Sequence, residues 1–133
     1  MPAAGGDAVQ VTHDTGFVKG ESPDRAYLYF VGTAVAGSPL WRVPVVGGRL
    51  EKVVDGVVWW SVKVLERGIY YLDRPANEAR LQFFDVATRR STTVARGLGE
   101  WTGSLTVSPD GRTILFSRVD SSINDLMLVE NFR

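Results

Sequence analysis

Three short hydrophobic patterns recur along this chain, in the same order and at nearly the same interval. The runs Leu40-Trp41-Arg42-Val43, Leu81-Gln82-Phe83-Phe84 and Leu126-Met127-Leu128-Val129 begin 41 and then 45 residues apart. A second series, around Ala26-Tyr27-Leu28-Tyr29-Phe30, Ile69-Tyr70-Tyr71-Leu72 and Thr113-Ile114-Leu115-Phe116, repeats after 42 and 44 residues, counted from Tyr27, Ile69 and Thr113. A third pairs Glu51-Lys52-Val53-Val54 with Thr92-Thr93-Val94-Ala95, 41 residues from Val53 to Val94, each closing on a glycine, Gly56 or Gly97. The runs of the second series are β-branched or aromatic and end at polar or glycine residues. No window carries a sustained helical stripe, because prolines and glycines cut each run before it reaches helix length.

An interval of 40–45 residues holding about four strands is the spacing of β-propeller blades. One twisted four-stranded sheet covers only part of its own faces, so blades are stable mainly when stacked on neighbours. The pattern predicts an all-β chain of about three four-stranded antiparallel blades, either a partial propeller or half of a six-bladed ring. Blade one is expected at residues 17–56, blade two at 57–97 and blade three at 98–133, the last lacking its fourth strand. Residues 1–16 read as a tail that carries Val9-Gln10-Val11-Thr12, an outer strand for a neighbouring blade.

The turn chemistry agrees. Ser108-Pro109-Asp110-Gly111 lies between two strand patterns. Proline presets φ, the Asp side chain accepts backbone N–H bonds, and glycine tolerates positive φ. Ser22-Pro23-Asp24-Arg25 stands at the matching place in blade one without the glycine, and Leu65-Glu66-Arg67-Gly68 replaces it in blade two. With Ser108-Pro109-Asp110-Gly111-Arg112, Leu40-Trp41-Arg42-Val43-Pro44, Gly47-Gly48, Leu81-Gln82-Phe83-Phe84-Asp85 and the closing Asp125-Leu126-Met127-Leu128-Val129-Glu130-Asn131-Phe132-Arg133, the chain resembles the TolB-like, WD-repeat-like β-propellers of bacteria. The resemblance covers nearly the whole chain. It implies a binding or scaffold surface in a larger bacterial sensor or TolB-like protein, with no shared catalytic site to carry over. Propellers of this kind usually close with six or more blades. The resemblance therefore also raises self-association, a homodimer closing a six-bladed ring with residues 9–12 completing a third blade. An alternative expectation is the gating propeller of a prolyl-oligopeptidase-like hydrolase.

Composition narrows the chemistry. Fifteen basic residues balance fifteen acidic ones, which gives no electrostatic case for nucleic acid or an anionic membrane. With no cysteine and a single histidine, His13, thiolate nucleophiles and Cys-ligated metal sites are excluded. The absence of cysteine is compatible with cytoplasm or periplasm. Residues 1–7 show no signal-peptide pattern, and no apolar stretch is long enough to span a bilayer. No Gly-x-Ser-x-Gly, phosphate loop or dinucleotide fingerprint is present. Asp120-Ser121-Ser122-Ile123-Asn124-Asp125 is oxygen-rich but lacks the spacing of a calcium loop. Arg89-Arg90 reads as a solvated turn. The expectation is a chain with no enzyme activity, cofactor or metal, whose partner is a protein or a second copy. Its candidate ligand or partner surface is His13, Trp60 and Trp101. Trp59 and Trp60 are adjacent, so their rings should leave opposite faces of a blade, and both can be buried because a blade has neighbours on two sides.

Overall fold

The computed structural model describes residue 10 and residues 16–98, 102–120 and 123–130. These form eleven strands in three antiparallel sheets. Blade one is β1 (Phe17–Glu21), β2 (Tyr27–Val31), β3 (Ser38–Pro44) and β4 (Glu51–Val57), in that spatial order. Blade two is β5 (Val62–Val64), β6 (Gly68–Asp73), β7 (Arg80–Asp85) and β8 (Arg90–Ala95). Blade three is β9 (Thr102–Val107), β10 (Thr113–Asp120) and β11 (Ile123–Glu130), three strands among the described residues. The expected outer strand at residues 9–12 lies outside the described residues, apart from Gln10, as do His13, Trp101, Ser121 and Ser122.

Within each blade sequence-consecutive strands pair, as short connections require. The pairing register sharpens the repeat. Leu40, Leu81 and Leu126 face Val31, Leu72 and Ser117, so third and second strands keep a common offset from blade to blade. Register shifts interrupt β1–β2, β3–β4, β7–β8 and β9–β10.

Blade two shows why the blades depend on one another. Along β6, Ile69 and Tyr71 point into a core with blade one, and Leu72, one residue out of phase, points into a core with blade three. The first junction joins Tyr29, Val31, Leu40 and Val57 to Val62, Ile69, Tyr71 and Phe84. The second joins Val58, Leu72, Ala79, Leu81 and Leu98 to Leu105, Val107, Ile114 and Phe116. Both phases of the period-two pattern are therefore apolar, as burial on two sides demands. Gly68 opens β6 where nothing larger fits: a Cβ there would lie 2.1 Å from the Phe84 carbonyl oxygen and 2.6 Å from the Phe83 ring.

The strand ends define two rims. The first carries the β2–β3 loop, the β6–β7 loop and the link at residues 58–61. The second carries the Ser-Pro-Asp turns and the links β3–β4 and β7–β8.

Candidate functional site

Three clefts lie where blades one and two meet. On the first rim, Ala36, Gly37, Gly56, Val57, Asp73, Arg74 and Pro75 enclose about 430 Å³. Its walls come from segments far apart in sequence. Buried Ser38 sets the first wall: its hydroxyl donates to the Val35 carbonyl at 2.7 Å and lies 2.7 Å from the Thr33 hydroxyl. The Gly37 N–H then bonds the Val57 carbonyl at 2.9 Å, holding the β2–β3 loop against β4. Small residues form the floor there, since a Cβ on Gly56 would come within 3.2 Å of the Gly37 carbonyl oxygen.

The opposite wall is Asp73-Arg74-Pro75. Arg80 holds Asp73 by a two-pronged bond, Nε to Oδ1 at 2.9 Å and Nη2 to Oδ2 at 2.6 Å, and Gln82 approaches Oδ2 at 3.4 Å. The carboxylate is therefore already neutralised. Arg74 is different. Proline at position 75 keeps it out of the helical region, and its φ and ψ are −136° and 63°. A short 3-10 turn, Pro75–Asn77, follows, with Ala76 in the left-handed region at φ 52°. Among the described residues the ion pairs are Arg42–Glu51, Lys52–Asp55, Arg80–Asp73 and Arg89–Glu51, and Arg74 takes part in none. Its Nε is buried without a hydrogen-bond acceptor.

Through Gly56 and Asp73 this cleft runs into a second of about 490 Å³, beside β4 and the blade-two strands. Polar side chains line it, among them Lys52, Asp55, Tyr71, Arg80, Gln82 and Arg89. At its far end Glu51 receives Arg42 from its own blade, Nη2 to Oε2 at 2.8 Å, and Arg89 from blade two. The Arg42 bond holds the Glu51 carboxyl below its ordinary range, against a smaller desolvation effect, with Arg89 adding to it. Arg89 is thus a link between blades and not only a solvated turn residue. The Tyr71 hydroxyl, its pKa pushed up by burial, donates to Ser91 Oγ at 2.8 Å.

The third cleft, about 220 Å³, opens on the second rim between the blade-one turn and Leu65 and Glu66. There the Arg42 guanidinium sits 4.2 Å from the centre of the Tyr27 ring, a cation–π contact. The two Ser-Pro-Asp turns share one hydrogen-bond plan. Ser22 Oγ donates to Asp24 Oδ1 at 2.5 Å and accepts the Tyr27 N–H at 2.9 Å; Ser108 Oγ donates to Asp110 Oδ1 at 2.5 Å and accepts the Thr113 N–H at 3.0 Å. The serine bonds lower the pKa of both aspartates. Pro109 and Gly111 complete the second turn, Gly111 at φ 71°, and Arg25 takes the same left-handed position at φ 60°. These residues have structural partners.

Of the candidate partner-surface residues His13, Trp60 and Trp101, only Trp60 is described. It packs half-buried against the core between blades two and three, and stacks edge-on with Trp59 at 5.4 Å. Trp59 packs into the other junction, 5.2 Å from the Phe17 ring and 5.0 Å from Lys19 Nζ. The two rings do leave opposite sides of blade two, although from a turn before β5 and not from a strand. Trp41 is half-buried on β3, outside both junction cores. Nothing in the sequence marked Arg74, because no motif surrounds it and its neighbours in the cleft come from three other segments. No group of three or more metal-ligating side chains occurs among the described residues, and no helix there is long and apolar enough to cross a membrane.

No protein-family model and no curated protein matches the chain. Solved structures do. A putative TolB from Agrobacterium tumefaciens superposes with a TM-score of 0.65 at 21% identity, over 88% of this chain and 45% of that one. TolB from Acinetobacter baumannii gives 0.67 at 10% identity, over 92% of this chain and 31% of that one. A prolyl endopeptidase structure gives 0.51 at 16% identity, over 88% and 21%. The chain spans less than half the length of each of these proteins. At such identities the likeness speaks for fold alone. By that fold, the chain is a run of β-propeller blades of the TolB type.

Proposed function

We propose that this segment is a non-catalytic binding module, a set of propeller blades whose first-rim cleft takes a carboxylate of a protein partner. The observation that carries the reading is Arg74: a guanidinium set in a cleft wall, without an ion pair among the described residues, its Nε–H buried and unmatched. A buried donor left unpaired costs about 1–3 kcal/mol, and an incoming acceptor removes that cost. Rotation about the last torsions of Arg74 presents Nε and one Nη nitrogen together, the fork that matches two carboxylate oxygens. Asp73 does not oppose an anion, because Arg80 has already taken up its charge. The polar groove beside β4 continues from the cleft and offers room for the rest of an extended peptide. A non-catalytic role fits the chemistry in place, since Asp24, Asp55 and Asp73 in the clefts are tied to serine, lysine and arginine in turn.

Peptide titration followed by backbone amide NMR tests the reading. Acetyl-tetraalanine with a free C-terminus and acetyl-Ala-Ala-Asp-Ala-amide separate a chain end from a side chain as the source of the carboxylate, and acetyl-tetraalanine-amide is the control. Shifts at Gly37, Gly56 and Val57 with a carboxylate peptide, lost in Arg74→Gln, are expected. Equal shifts with the amide control, or full retention in Arg74→Gln, contradict the carboxylate site. The likeness to a prolyl endopeptidase favours a second reading, a propeller that gates a peptidase. On that reading peptide binding would not depend on the carboxylate.

A further inference from the structure

Second and third strands pair in one common register, so single residues can be compared from blade to blade. One cross-strand pair is Phe30–Trp41 in blade one, Tyr71–Gln82 in blade two and Phe116–Met127 in blade three. Phe116 is buried between blades two and three, and Met127 packs against the same core. Blade two alone puts polar atoms on both members of the pair, and its last strand adds Thr93 opposite Gln82. Tyr71, Gln82 and Thr93 make a polar row across three strands, and all three line the groove beside β4. The Tyr71 hydroxyl has a partner in Ser91. Gln82 lacks partners to match its burial. The residue is 5% exposed, and the one hydrogen bond its side chain makes to a described residue runs from Nε2 to Asp73 Oδ2 at a long 3.4 Å. Arg80 already holds that oxygen at 2.6 Å, and Oε1 of Gln82 has no donor among the described residues. Burying an amide without full pairing is unfavourable, and both sister blades show that the fold accepts an apolar side chain at this place. The amide therefore serves something other than the blade stack.

We infer that Gln82 is the floor of a peptide subsite, its side-chain amide pairing with one peptide bond of an extended ligand whose carboxylate Arg74 holds. The inference rests on the proposed reading of the Arg74 cleft and names what lies beyond the carboxylate. A primary amide offers Oε1 to an N–H and an Nε2 hydrogen to a carbonyl, the two groups that a peptide bond carries. Such a contact reads the backbone of the ligand and is indifferent to its side chains. Asp73 lines both clefts, precedes Arg74 in the chain and lies at hydrogen-bond distance from Gln82, so both contacts fall on one short stretch of ligand. The facing wall is β4 at residues 52–56, the outer strand of blade one, whose far edge pairs with no described strand. A sheet edge beside a backbone-reading amide is a setting for an extended segment.

The experiment titrates the full chain and its Gln82→Met variant with acetyl-tetraalanine bearing a free C-terminus, and with its ester analogues, each having one amide N–H replaced by oxygen. Gln82→Met brings in the side chain that blade three carries at this place, so its melting temperature should equal or exceed that of wild type. Its affinity for the parent peptide should fall about fivefold, the usual net worth of one hydrogen bond. In wild type one of the esters should lose a similar factor, and in Gln82→Met that ester and the parent should bind alike, which couples the side chain to a particular peptide bond. Wild-type affinity in Gln82→Met overturns the inference and leaves the Arg74 site standing, and so does equal binding of the parent and every ester by wild type. A melting temperature below that of wild type also overturns it, because it marks the amide as a support of the stack. No binding of the parent peptide by wild type removes both readings.

Discussion

The two blade junctions use the same backbone plan and differ in what fills them. Between blades two and three the core is aliphatic apart from Phe116, and none of its buried members titrates. Between blades one and two, tyrosines and Phe84 replace aliphatics, Gln82 is buried beside the core, and all three clefts open there. A buried core of aliphatic side chains offers a ligand few polar groups to recognise. One that mixes aromatics with arginine–carboxylate pairs leaves gaps lined by fixed charges. On the proposed reading the first junction is the one that binds and the second holds the blades together.

The largest test of that contrast is a cavity in the dry junction. Ile114→Ala should cost about 3 kcal/mol in urea unfolding, the usual result of truncating a fully buried aliphatic side chain. A loss under about 1 kcal/mol would mean that the second junction contributes little. In the first junction, Arg80→Ala strands half-buried Asp73 and should cost about 2 kcal/mol, while Arg80→Lys should recover only part because it cannot supply the fork. Acid should weaken the first junction selectively. The folded-state pKa of Glu51 is lowered, so its contribution is fully present above the ordinary glutamate value of about 4.3 and is lost as pH falls through the lower folded value. The contribution is under about 1 kcal/mol for so exposed a pair, and the gap in melting temperature between wild type and Glu51→Gln should close between neutral pH and strong acid. A constant gap contradicts the ion-pair account. The smallest effect compares the turns of blades one and three. Arg25→Gly should stabilise by about 0.5 kcal/mol, because it relieves a left-handed residue that Gly111 occupies freely, and a loss of stability would show that Arg25 makes a contact worth more than that strain.

The blades were legible in the sequence because their signal is local. Alternation within a strand, a glycine or Ser-Pro-Asp stop and a fixed interval need no knowledge of tertiary neighbours. The direction of each side chain was less legible. In β6, Ile69 and Tyr71 serve one junction and Leu72 the other, so an apolar run buried on both sides carries no phase that says which neighbour a residue meets. Trp60 shows the consequence. The sequence offers it both as a candidate surface aromatic and as a ring buried between blades, and in the structure it lies half-buried against the core between blades two and three. The cleft was not legible at all. Ala36-Gly37, Gly56-Val57 and Arg74 come together only when two sheets stack, and the feature that singles out Arg74, an unmatched Nε, is a property of packing.

The central claim, that the first junction binds and the second only holds, is tested most directly by methyl NMR of valine, leucine and isoleucine during titration with the free-carboxylate tetraalanine peptide. Val57 should shift in a saturable way while Leu105, Val107 and Ile114 stay fixed. Saturable shifts at the second-junction methyls, with Val57 unmoved, would contradict the claim.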